Sequence, residues 1–236
     1  MKENDDLSRT IYEKTWKGEY WGQGGVIELS WGRYTKLLDI GKRPEALSAL
    51  SSTYYSACGQ AVARFRASFN PVWLFRAWWC LRQAGKLSDE LERLLSLDLM
   101  SPEQLDIRAR ILFRQRRYAL SKQVTQEALG RDGLMPDTRA LLEMGLAEIS
   151  DQEREPAGAQ LAYGRALFEE ENLRPTTTVR IYASLTRYHT RWMQWRLAQT
   201  AAEKALAIAQ THGLEDQAIK LQPVLEIIVR KMRKRR

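Results

Sequence analysis

Histidine and cysteine are scarce in this sequence, with two of each in 236 residues. That scarcity removes several kinds of chemistry at once. His189 and His212 have no cysteine beside them, so the close-spaced ligand pairs of a zinc site are missing. No metal and no cofactor is expected. Cys58 and Cys80 form no CxxC pair and are flanked by small or apolar residues, which reads as two buried thiols in a reducing compartment. A nucleophile elbow is absent as well. The glycines of "GQGG" (22–25) match neither phosphate-loop fingerprint and follow no strand, so they read as a turn. Carboxylates come in runs such as "SDELER" and "FEEEN". Glu169, Glu170 and Glu171 are adjacent and point to different sides of a helix, so nothing selects a catalytic pair. The protein is therefore not expected to be an enzyme.

Long apolar runs are also missing. The most apolar segment, "PVWLFRAWWCL", holds Arg76 and falls far short of the roughly 20 residues a membrane span needs. Its apolar residues lie nearly all round, which predicts a central, buried helix. The opening "MKENDDLSRT" has no apolar signal-peptide core. These features together predict a cytoplasmic protein without a membrane span.

Charge is plentiful but unevenly placed. Lys and Arg number 37 against 29 Asp and Glu, for a net charge of +8 and a pI of about 9.6. Six of those cations are Arg230, Lys231, Arg233, Lys234, Arg235 and Arg236. Residues 1–229 thus hold 31 basic and 29 acidic side chains, a net of +2. The basic pI belongs to the tail and says little about the body.

Helix signals dominate. In "TAAEKALAIAQ", the residues Ala201, Ala202, Ala205, Leu206, Ile208 and Ala209 recur at steps suited to one helical face. Leu105, Ala109 and Leu112 share another. Pro44, Pro71, Pro102, Pro136, Pro156 and Pro175 sit near proposed helix starts, where a missing N–H costs nothing. "SPEQ" (101–104) is a capping box. Pro223 is expected to kink or interrupt the last helix. Helices are predicted near 5–20, 26–40, 44–68, 71–84, 87–97, 102–116, 118–130, 136–150, 154–171, 175–190, 193–211 and 214–234. Their short connections predict antiparallel neighbours. "DGL", "ENL" and "HGL" place Leu134, Leu173 and Leu214 at steps of 39 and 41 residues, a helix-pair repeat.

"LLDIGKRPEALSAL", "LRQAGKLSDELERLL" and "AAEKALAIAQTHG" resemble the two-helix elements of the tetratricopeptide-repeat (TPR) superfamily. Gly41 and Gly85 match its small residue before the turn. Tyr118 and Trp192 match the aromatic at the entry to the second helix, and Ala128, Ala201 and Ala205 match the small residue within it. The resemblance spans residues 26–213 loosely, with a period longer than the family's. It implies an all-α, right-handed superhelical solenoid of antiparallel helix pairs, with about eleven or twelve helices. Residues 1–25 would form a leading helix and Gly-containing turn, 26–213 the repeats, and 214–236 a capping helix with a basic tail.

Three groups of residues are candidates for binding. Arg110, Arg114 and Arg117 lie about 120–180° from the Leu105–Ala109–Leu112 face, and Arg180, Arg187 and Arg191 share a face of the 175–190 helix. The TPR resemblance puts both rows on groove-lining first helices, where guanidinium groups would take an acidic peptide; a face neutralised by neighbouring carboxylates is the alternative. Tyr12, Trp16 and Tyr20 form an aromatic stripe at steps of four, either a packed seam or a partner surface. The tail cations 230–236 are a candidate anion site. They are equally the favourable charge at a helix C-terminus, with Leu225, Ile228 and Met232 continuing an apolar face.

The expected function is protein–protein interaction, as an adaptor, chaperone-like carrier or regulatory subunit that binds a partner peptide or helix. A nucleic-acid accessory role through the tail and the Arg rows is the alternative. The sequence leaves the oligomeric state open. Deleting residues 230–236 separates the two functions. Any low-salt binding of nucleic acid that depends on the tail will disappear. Binding that survives the deletion implicates the Arg rows, and no binding by the intact chain in a low-salt mobility shift removes the alternative.

Overall fold

The computed structural model describes residues 10, 11, 14, 19–22 and 24–233. Among them are ten α-helices, two short 3-10 turns and no strand. The helices are α1 (Val26–Asp39), α2 (Arg43–Ser68), α3 (Pro71–Leu94), α4 (Pro102–Arg114), α5 (Tyr118–Leu129), α6 (Pro136–Gln152), α7 (Pro156–Ala166), α8 (Pro175–Arg191), α9 (Trp195–Thr211) and α10 (Glu215–Arg233). The chain forms two compact units, Met1–Glu127 and Ala128–Arg236, with the boundary inside α5.

Local chemistry sets most of the boundaries. Proline occupies the first turn of α2, α3, α4, α6, α7 and α8. The Ser101 Oγ accepts from the Gln104 N–H, and the Gln104 Oε1 accepts from the Ser101 N–H at 2.9 Å, completing the capping box of α4. The helix ends follow one device. After α1, α4, α6 and α8, a residue with positive φ reverses the chain: Gly41, Arg116, Arg154 and Met193. In each case the next N–H reaches back five residues, as in Arg117 to Leu112 O at 2.9 Å, Glu155 to Ser150 O at 2.8 Å and Gln194 to His189 O at 2.8 Å. Positions 116, 154 and 193 are 38 and 39 residues apart, so the turn keeps the repeat.

Three sequence expectations change. The predicted turn at 84–91 does not exist, and the segments 71–84 and 87–97 are one helix, α3. Gly85 serves packing there: a Cβ at this position would lie 2.2 Å from the Gln115 side chain. The merger removes one of the twelve predicted helices, and the predicted 5–20 helix lies largely outside the described residues, which leaves ten. Pro223 does not interrupt α10, which runs through it to Arg233. The 154–171 helix is shorter, ending at Ala166 before a 3-10 turn at Glu170–Asn172.

The first unit is built on the α2–α3 pair. Leu50, Tyr54, Ala57, Cys58 and Ala61 of α2 pack on Ala77, Cys80 and Ala84 of α3. Most of these are small, which lets the two backbones approach closely. Ser51 Oγ donates to Ala84 O at 3.1 Å across the pair. The buried Arg108 guanidinium ties α4 to α3 through Ser88 O and Oγ, both at 3.0 Å, and through Asp89 and Glu92. In the second unit, α9 lays its alanine face, Ala201, Ala205 and Ala209, on Val179 and Tyr182 of α8 and Leu221 of α10. Ile228 closes the end of that unit against Ala198 and Ala202, with Leu225 and Met232 beside it, as the tail periodicity predicts.

Small residues inside and bulk outside make a stability contrast. Ala84→Leu, at a position with no solvent exposure, will destabilise the chain by about 1–3 kcal/mol through overpacking. Trp78→Ala, at a position 53% exposed, will stay within about 0.5 kcal/mol of the parent. Urea unfolding followed by circular dichroism distinguishes them.

Candidate interaction surface

Of the six groove arginines, Arg110, Arg187 and Arg191 are held in ion pairs. Arg110, Arg114 and Arg117 are in the first unit and Arg180, Arg187 and Arg191 in the second. Arg110 Nε bonds Asp106 one turn back on its own helix at 2.8 Å. Arg187 pairs with Glu148 at 3.0 Å and Arg191 with Asp151 at 2.7 Å. Arg114, Arg117 and Arg180 are exposed.

The Arg187 and Arg191 pairs belong to a ladder of carboxylates along α6, each reaching α8 about one repeat further on. At the N-terminal end, Asp137 accepts from the Arg174 N–H at 3.0 Å and its Nε at 2.6 Å, so it holds the residue that caps α8. In the C-terminal half, Glu148 also accepts from Ser184 Oγ, which shares a bond with the Tyr163 hydroxyl of α7. At the C-terminal end, Asp151 also accepts from Trp192 Nε1 at 2.9 Å. Burial pushes the Asp137 carboxyl up. Hydrogen bonds from Thr177 and Arg174, with the Arg174 charge, outweigh that and hold it below its ordinary range.

Other candidates resolve simply. Burial raises the Cys58 thiol, and burial with Cys58 nearby pushes Cys80 up to about 12, so neither is a reactive thiolate. His189 is buried at the end of α8, its Nδ1 2.7 Å from Gln194 Oε1 across the turn. No cluster of His, Cys, Asp or Glu suited to a metal occurs among the described residues. None of their helices is long and apolar enough to cross a membrane. Tyr20 is buried in the first unit's core, while Tyr12 and Trp16 lie outside the described residues. Arg230, Lys231 and Arg233 are exposed on the last turn of α10; Lys234, Arg235 and Arg236 lie outside the described residues.

The surface that stands out is one for which the sequence predicted the opposite. The "VWLFRAWWC" segment is not buried all round. Val72, Leu74, Phe75 and Trp78 are exposed, Phe75 at 64%. Counting 100° per residue, Val72, Phe75, Trp78, Arg82 and Lys86 fall within an arc of about 120° on α3. The buried Ala77, Cys80, Ala84, Ser88 and Leu91 occupy the opposite side. Phe69 extends the exposed patch at the α2–α3 turn. One arginine within this arc is held against a ring, and two more are held against rings on the core side of α3. Arg82 lies 5.4 Å from the Trp78 centroid, Arg76 sits 5.1 Å from Trp21 and 4.7 Å from Trp73, and Arg64 lies 4.8 Å from Trp73. One sequence signal marks this face. Residues 46–88 contain no Asp or Glu, yet include Arg64, Arg66, Arg76, Arg82 and Lys86.

No family model and no curated protein matches the chain. Two solved structures are similar over nearly its whole length. BtubC (BKLC) from P. vanneervenii is 20% identical, with 96% of this chain and 92% of that one covered and a TM-score of 0.46. The pilF protein of Pseudomonas aeruginosa is 15% identical, with 98% and 100% covered and a TM-score of 0.43. Likeness at that level transfers no partner to this chain.

The carboxylate ladder gives a pH dependence. The Asp137 carboxyl has a folded pKa below its unfolded value. Its stabilisation is complete above the unfolded value, about 3.9, and is lost as pH falls through the folded one. The second unit will therefore weaken as pH drops below about 4. Asp137→Asn will flatten that part of the profile, as urea midpoints across pH 2.5–7 will show; that range is roughly the span over which carboxylates titrate.

Proposed function

We propose that this protein is a non-catalytic protein-interaction module and that the outward stripe of α3 is its principal docking face. One observation carries the proposal: α3 buries its alanines and cysteine while it turns Val72, Phe75 and Trp78 to solvent. Folding alone favours the reverse arrangement, because burying aromatic bulk stabilises by far more than burying alanine. Exposed Trp, Phe and Arg together are the composition of interface hot spots. The succession of antiparallel helix pairs supplies a rigid base, so the stripe is presented in one geometry without ordering cost on binding.

A photo-crosslinking residue in place of Phe75 tests the proposal in the native host. Light-dependent adducts with a discrete protein are expected, and Trp78→Ala in the same chain will reduce them several-fold. An adduct pattern unchanged by Trp78→Ala, or no protein adduct at Phe75, overturns the α3 face as the docking site.

A further inference from the structure

The occupant of this face can be specified by its chemistry. We propose that the α3 stripe binds an acidic amphipathic helix of a partner protein, with apolar anchors over Val72, Phe75 and Trp78 and carboxylates toward Arg82 and Lys86. The proposal rests on the interaction function above and adds the partner's class.

Three features of the surface point to that occupant. The first is charge. The apolar part of the stripe is continued along α3 by Arg82 and Lys86, and residues 46–88 hold no acidic residue. A second copy of this chain would bring the same cations together, and like charges across an interface disfavour that pairing.

Arginine geometry is the second. Within the stripe Arg82 is stacked on the Trp78 ring, 5.4 Å from its centroid, while Arg64 and Arg76 sit on Trp73 at the core side of α3. A guanidinium fixed on a ring keeps its N–H fork aimed, which suits bidentate carboxylate binding. A lipid headgroup surface draws on charge without such a fork, and lysine would serve it as well.

Backbone satisfaction is the third. The described residues offer helices and no strand edge. An extended peptide laid on α3 would leave its own N–H and C=O groups without partners, whereas a helix arrives with them already bonded. The stripe from Val72 to Lys86 is about 21 Å long at 1.5 Å per residue, a match for about four turns of a partner helix with apolar residues at i, i+3 and i+7.

The test uses the full chain and two synthetic helical peptides of about 18 residues, long enough to cover the stripe. Both carry leucines at i, i+3, i+7 and i+10, flanked by glutamates in one and by lysines in the other. Anisotropy titration at low salt should show the glutamate peptide binding at least about tenfold more tightly than the lysine peptide, a difference of about 1.4 kcal/mol. Arg82→Glu with Lys86→Glu should reverse that order, and Phe75→Ala with Trp78→Ala should weaken both peptides. An unchanged urea midpoint certifies that each double variant is folded; if one is not, the two-peptide comparison on the parent chain decides alone. Equal affinity for the two peptides, lost in the Phe75/Trp78 variant, overturns the acidic occupant and leaves the docking face standing. Binding indifferent to every stripe variant, or no binding, overturns the acidic helix at this face. Trp78-dependent binding to phosphatidylcholine–phosphatidylserine vesicles without peptide binding assigns the face to membrane and overturns both proposals, and Trp78-dependent dimerisation in sedimentation assigns it to a second copy.

Discussion

Close approach of two long helices governs the first unit. α2 and α3 meet largely through alanines, a serine and cysteines, joined by Leu50 and Tyr54, and the small side chains let the axes come close. On α3 the tryptophans and phenylalanine stand on the flanks and the outer face, where arginine stems and rings pack against one another. The same seam keeps both thiols out of water and inert. The exposed aromatic face thus lies outside the core that this seam closes.

The two units solve the problem of holding helices side by side differently. In the first, apolar contact between α2 and α3 is extended by a single buried guanidinium, Arg108, which reaches a backbone carbonyl, a hydroxyl and two carboxylates. Its desolvation is offset only because nearly every donor finds an acceptor. In the second, α6 and α8 are joined by Asp137, Glu148 and Asp151, which take N–H and O–H groups as well as charges. Directional bonds of this kind fix the rotation of a helix about its own axis, which alanine packing alone leaves loose.

Much of the helix map was legible because its signals are local. First-turn prolines and the Ser101–Gln104 box act within one turn of chain, and the steps among Leu134, Leu173 and Leu214 follow the true repeat. The errors came from residues whose meaning depends on a distant neighbour. Gly85 has the look of a turn glycine but answers to Gln115. The turns themselves fall at the predicted breaks between helices, but nothing local marks Arg116, Arg154 and Met193 as the non-glycine residues that take positive φ there. The apolar run of α3 was taken as buried because hydrophobicity says nothing of which face the small residues claim. Arg187 and Arg191 offered an open row in the sequence, and only the fold brings Glu148 and Asp151 opposite them.

The ladder also acts as a ruler. α6 and α8 are each 17 residues long, and their ties fall near both ends. One residue inserted within either helix would turn everything beyond it by about 100° and advance it by about 1.5 Å, so the ties at the two ends could not both be kept. Length variation is therefore excluded from the interior of α6 and α8, which gives the second unit a fixed reading frame in space as well as in sequence.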